Sequence, residues 1–219
     1  MFNFGKSVDF AAVILHGVIA TVELTVFSCL LALVAAFIAG LALLSKHATI
    51  RCIARSYVEV LRGTSVFVQL FAAYFILPLM GLTLTPVEAA VLALGLNGGA
   101  YGAEVVRSGI QAVGRDQTEA TIAVNLTRFQ AMRWIIIPQA LVLMLPSFGN
   151  LAIEIMKGTA VASLITVSEL TFQAQTVRSQ TGDTAFPFLS ILIIYLVIAS
   201  ALMIVVRWIE RRYRRGLTA

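Results

Sequence analysis

Apolar residues run along this chain in long blocks separated by short polar stretches. Five blocks, about 12–44, 57–80, 87–107, 139–157 and 187–206, are long enough to cross a bilayer. A helix needs roughly 20 residues to span the hydrocarbon, and only helices or closed barrels satisfy their backbone groups there. The pattern predicts an all-α integral membrane protein with five transmembrane helices, a single transmembrane domain over 1–219. One connecting stretch, 111–138, is too polar to be buried in lipid and too long for a simple turn. Within it "TEATIAVNLTRFQAMRWIIIPQA" (118–140) carries Glu119, Arg128 and Arg133, and reads as a polar, broken helix between two spans.

Composition agrees with the pattern. Hydrophobic residues make up 59% of the chain and charged residues only 12%, against about 25% charged in a soluble domain. The first apolar run, Phe10 to Leu44, is far longer than the roughly 7–15 residues of a signal-peptide core. Lys6 and Asp9 cancel before it. It is therefore expected to be a retained span, tilted or with its first turns in the outer interface. Cys29 and Cys52 suit neither a disulfide nor a metal site and are expected to pack.

The net charge of +5 is distributed loop by loop. Loop 45–56 holds Lys46, Arg51 and Arg55, and loop 81–86 holds no charge. Segment 108–138 holds Arg115, Arg128 and Arg133, whereas 158–186 holds Arg178 against Glu169 and Asp183. The tail carries Arg207, Arg211, Arg212, Arg214 and Arg215. Basic residues mark cytoplasmic loops, so the N-terminus is expected outside and the C-terminus inside, as an odd number of spans requires. Arginines split among loops argue against nucleic-acid binding. "GKS" at Gly5–Ser7 lacks the first glycine and the preceding strand of a phosphate loop. His16 and His47 lie too far apart for a metal pair, and no catalytic motif is present.

At this point the residues resemble a known family. The 118–140 stretch resembles the EAA loop of permease subunits in bacterial ABC importers. More narrowly, "YVEVLRGTSVFVQLFAAYF" (57–75), "GAYGAEVVRSGIQAV" (99–113), "IPQA" (137–140) and "IEIMKGTAVASLITVSELTFQAQ" (153–175) resemble the polar amino acid uptake, histidine/glutamine-type, permeases. Four blocks in order cover most of the chain. The resemblance implies a type I ABC importer permease fold and a cytoplasmic coupling loop over 111–138. It implies Glu119, Ala120, Asn125, Arg128 and Pro138 as the residues that dock a partner ATPase.

Five helices cannot surround a water-filled path alone, so the chain is expected to pair with an identical or different permease subunit. Resemblance also implies two ATP-binding subunits, which hold ATP and magnesium, and an external solute-binding protein; this chain is expected to bear no cofactor and no catalysis of its own. Four positions depart from the family pattern. Ser65 replaces a proline, Thr121 the third residue of EAA, Asn125 a glycine, and Gly158 the acid of KDT. Asparagine tolerates positive φ best after glycine, so Asn125 is expected to keep a bend between a helix starting near Gln117 and one starting near Arg128. Gly158 lies near the expected substrate path and admits a compatible solute of the ectoine type beside ordinary amino acids.

On that path stand Asn97, Gly98, Tyr101, Glu154 and Lys157. Asn97 near mid-span either contacts ligand or bonds a neighbouring helix backbone. Glu154 and Lys157 share one helix face and either meet the charges of a zwitterion or neutralise each other. Gly95/Gly99 and Gly98/Gly102 allow close helix approach. His16 and Glu23 share a face suited to interhelical bonding, and Glu59 and Arg62 are explained by snorkelling. Segment 159–180 reads as outer helices that gate the cavity and receive the binding protein, or as a packed surface loop. A self-sufficient secondary transporter or channel is the rival reading, but neither internal repeats nor paired broken spans are visible. A small intramembrane enzyme is a weaker one.

The orientation is directly testable. Thr83→Cys and Gly182→Cys are expected to react with an impermeant thiol reagent added outside intact cells, and Gln117→Cys is not. Labelling of Gln117→Cys from outside would reverse the topology.

Overall fold

The computed structural model describes the backbone of residues 5–215 and the side chains of 10–213 apart from 115 and 118. The side chains of Lys6, Asp9, Arg115, Arg214 and Arg215 therefore lie outside the described residues. Every described regular element is helical: α1 (Gly5–Leu43), α2 (Ala48–Gly63), α3 (Val66–Phe71), α4 (Pro86–Ala112), α5 (Arg115–Ala123), α6 (Arg128–Ala131), α7 (Ile137–Gly158), α8 (Leu170–Thr181) and α9 (Ala185–Arg215). Four stretches are long and apolar enough to cross a membrane, and the bent pair α2–α3 makes a fifth when taken as one span.

α4 is the central element. It opens on a reciprocal cap, with Thr85 Oγ1 accepting from Glu88 N–H and Glu88 Oε2 accepting from Thr85 N–H, and Pro86 fills the first turn where no donor is needed. One glycine face then meets α1: a Cβ at Gly99 would stand 2.5 Å from Ala35 Cβ, and one at Gly95 2.7 Å from the Leu31 side chain. Another face meets α7, with Gly98 covered by Ile155 and Gly109 by Met144. Without a hydrophobic drive between helices in lipid, such close contact supplies the packing energy.

The second block is not a straight span. Residues 48–63 and 66–80 form two helical arms bent by 104°, so most of loop 45–56 is helix and the expected crossing at 57–80 is broken. Thr64 and Ser65 are extended (φ −117° and −71°) and interrupt the ladder. The apolar composition continues across this break, which is why hydropathy alone does not reveal it.

Prolines shape the arms. A π-helical turn at Ala72–Ile76 precedes Pro78, and another at Met132–Ile136 precedes Pro138. Proline donates no N–H, so the ladder widens by one residue before it. Consequently the polar stretch after Arg128 is not a separate connector. It continues through the π turn into α7, and the whole span runs Arg128–Ile165. Cys29 is half-buried, but Cys52 is exposed on α2 and does not pack as expected.

Candidate coupling loop and polar sites at membrane depth

The loop between α4 and α7 has the two-helix form expected. α5 ends in a left-handed residue, Asn125, at φ 57°. Its N–H donates to Ile122 O at 2.9 Å, and Leu126 N–H donates to Thr121 O at 3.0 Å, so the last carbonyls of α5 are capped. Thr127 and Gln130 then form a reciprocal cap that starts α6. Gln139 Nε2 donates to Gln117 Oε1 at 3.2 Å and ties α5 to the first turn of α7.

Glu119, Ala120 and Arg128 are exposed, and so are Ile122, Val124 and Phe129, each about 70% open. Thr121 faces inward at 4%. Pro138 sits in the first turn of α7 just past the π turn and is exposed. Apolar side chains this exposed, on a polar loop, form a contact surface in want of a partner.

Within the membrane, Asn97 Nδ2 donates to Leu61 O at 2.9 Å and to Gln69 Oε1 at 3.2 Å. Gln69 Nε2 reaches the same Leu61 carbonyl at 2.8 Å and Thr64 Oγ1 at 2.8 Å. The amide of Asn97 thus bonds a neighbouring helix backbone. It caps the α2 end left open by the break. Gln69 escaped sequence reasoning, because the helix break whose carbonyl it caps leaves no mark in the hydropathy.

The remaining path residues are not joined to Asn97 by any hydrogen bond or ion pair among the described residues. Gly98 is covered by Ile155, and Tyr101 carries the Arg62 guanidinium 5.0 Å above its ring. Arg62 is held by that ring, whereas Glu59 pairs with Arg55 at 3.8 Å in the open. Glu154 and Lys157 are exposed and make no pair with each other. They continue a face that begins with Ser147 and Asn150, both exposed. His16 and Glu23 are exposed and form no interhelical bond among the described residues.

A second site was missed altogether. Glu169, counted above as a surface charge, is fully buried. Its Oε1 accepts from Phe172 N–H at 2.8 Å and its Oε2 from Tyr195 O–H at 2.7 Å. Leu170 N–H donates to Thr21 Oγ1 at 3.2 Å. Segment 159–180 is therefore a packed unit, a 3₁₀ turn at Thr159–Ile165 followed by α8, bound to α1 and α9. Burial pushes the Glu169 carboxyl above the usual carboxylate range, against the hydrogen bonds that favour its charged form.

The profile of the family described as binding-protein-dependent transport system inner membrane component matches residues 30–215. The chain belongs to that family. A probable amino-acid ABC transporter permease protein, y4tF of Sinorhizobium fredii (strain NBRC 101917 / NGR234), is 41% identical over 94% of this chain and 90% of its own length. The L-cystine transport system permease protein TcyB of Bacillus subtilis (strain 168) is 34% identical over 94% and 89%. A crystal structure of an amino acid ABC transporter with histidines superposes with a TM-score of 0.88 at 35% identity, covering 97% of this chain and 99% of that one. The chain is thus a multi-pass inner-membrane permease subunit of an ATP-driven importer, with the type I importer fold, and it is the membrane component rather than the ATPase.

In this permease, the buried Glu169 carries a pH signature. Its folded-state pKa is raised, so its contribution to stability is present below the unfolded value and lost as pH rises through the folded one. The melting temperature of the detergent-solubilised wild type minus that of Glu169→Gln is expected to fall as pH rises from 5 to 8. Subtraction removes contributions common to both proteins. A difference that stays flat or grows with pH would contradict a desolvated carboxyl.

Proposed function

We propose that this subunit pairs with a second permease to form the path for a polar amino acid or a related zwitterion, the ectoine type included. Relatives named for L-cystine and glutamine support the class. So does the exposed face of Glu154 and Lys157, which offers one charge of each sign at hydrogen-bond reach of a small solute. Gly158 stands beside Leu94 rather than carrying an acid, leaving room for a substrate without a second cationic group.

The coupling loop carries the mechanism. Exposed Ile122, Val124 and Phe129, rimmed by Glu119 and Arg128, dock into a cleft of the ATPase. The bend at Asn125 presents the two short helices as one handle, and the unbroken helix from Arg128 into α7 transmits its movement to the path. ATP and magnesium sit on the partner, two ATPase subunits serve two permeases, and the solute-binding protein meets the α8 side. The N-terminus lies outside and the C-terminus in the cytoplasm.

The single observation behind this reading is the left-handed Asn125. Non-glycine residues pay roughly 1–2 kcal/mol there and asparagine the least. Asn125→Gly is expected to retain coupling, whereas Asn125→Val, with a β-branched side chain, lowers substrate uptake severalfold. Glu119→Lys weakens ATPase co-purification with membrane insertion intact. Wild-type ATPase binding and uptake in both Asn125→Val and Glu119→Lys would overturn the handle.

A further inference from the structure

A groove of about 600 Å³ runs between α2 and the inner half of α4, lined by Arg51, Arg55, Arg62 and Arg107 with Glu59 and Glu104. Its charges do not cancel. Arg107 is spent: its Nε and Nη2 both meet Glu104 Oε2 at 2.8 Å, and its Nη1 donates to Gln111 Oε1 at 2.8 Å. Arg55 and Glu59 stand 3.8 Å apart with both side chains about 70% exposed, a geometry worth little. Among the described residues the Arg51 side chain bonds only the Ser45 carbonyl, at 3.1 Å. Arg62 has no acid partner among the described residues and rests on Tyr101. Two guanidinium groups are left with unspent donor forks along one groove.

The depth of these groups decides what they face. Tyr101 stands 11 residues before the end of α4 at Ala112, about 16 Å at 1.5 Å per residue. Glu104 lies about 12 Å from that end by the same rise. With the apolar block ending near residue 107, both fall inside the inner edge of a hydrocarbon core about 30 Å thick. Charged groups at that depth face a bundle interior or a water-filled cavity, and mark substrate pathways. On α2 the lipid-compatible side is elsewhere: Ile53 and Val60, at 67% and 60% exposure, point away from the arginine edge.

We propose that this groove is the aqueous inner half of the transport path, and that Arg62 binds the carboxylate of the departing substrate. This rests on the amino-acid reading above. Arg62 is suited to the task because the planar guanidinium keeps a carboxylate-matching fork while its face stacks on an aromatic ring. The Glu104–Arg107 pair keeps Glu104 from capturing that fork. Further inward, Arg55 and Arg51 continue the positive lining toward the rim at Gln111, so a carboxylate leaving Arg62 meets further weak partners rather than lipid.

The test uses the complete transporter in lipid nanodiscs, with Ser108→Cys as reporter in a Cys29→Ser, Cys52→Ser background. Ser108 is exposed on the same α4 face as Tyr101, Glu104 and Gln111. A charged thiol reagent is expected to label it, and millimolar glutamine to slow labelling, whereas the decarboxylated analogue 4-aminobutanamide does not. Arg62→Gln should weaken glutamine protection about tenfold, the scale of one charge-assisted hydrogen bond, with Arg62→Lys intermediate. An unreactive Ser108→Cys, equal protection by the amine, or full protection in Arg62→Gln overturns the proposal. Protection without glutamine uptake by the wild-type complex would instead leave the groove standing and overturn the assigned substrate class.

Discussion

The carbonyl of Leu61 is the point on which the packing of α2, α3 and α4 depends. A helix that stops inside hydrocarbon strands its last carbonyls where no water can reach them, at a cost of several kcal/mol each. The chain stops α2 at Gly63 and resumes at Val66, and it answers the exposed carbonyl with two side-chain amides, from Gln69 and Asn97. Gln69 comes from the next arm and Asn97 from α4, so the cap also fixes α2, α3 and α4 relative to one another. Tyr57 adds a further link by donating to Leu96 O at 2.7 Å. These bonds join α2 to α4 beside the groove that the two helices line.

The same rule applied to side chains explains why the subunit is incomplete alone. α1 and α9 present Leu15, Ile38, Leu192 and Leu196, all open and apolar, as lipid-facing helices should. α7 instead exposes Ser147, Asn150, Glu154 and Lys157 on one face. Polar groups in that number cannot be left to lipid. They belong against water or another subunit of the transporter, which makes assembly a consequence of where these residues fall on the helix. The loop between α4 and α7 repeats the logic in reverse, with apolar Ile122 and Phe129 exposed on a polar connection.

Much of this was legible in the sequence because it rests on local chemistry. Asn125 occupies a family glycine position, and the backbone there is left-handed for the reason that permits either residue. Thr127 with Gln130, and Thr85 with Glu88, have the spacing of reciprocal caps, a local signal the sequence reading did not take up. The break at Thr64 and Ser65 was not legible, since hydropathy records composition and not direction. Gln69 and Glu169 were missed for a related reason. An amide or carboxyl satisfied by a partner 28 or 26 residues away looks, in one dimension, like any other polar residue. Glu169 was further disguised by its placement between two spans, where a charge normally faces solvent.

Transport by this importer depends on its ATPase, and the polar faces of the permease are expected to pass solute only when that ATPase drives them. The direct measurement is uptake of labelled amino acid into proteoliposomes containing the permease, its ATPase and its binding protein. Accumulation is expected to require ATP in the ATPase compartment and to stop when the binding protein is withheld. Accumulation without ATP, driven by an imposed proton or sodium gradient, would contradict it.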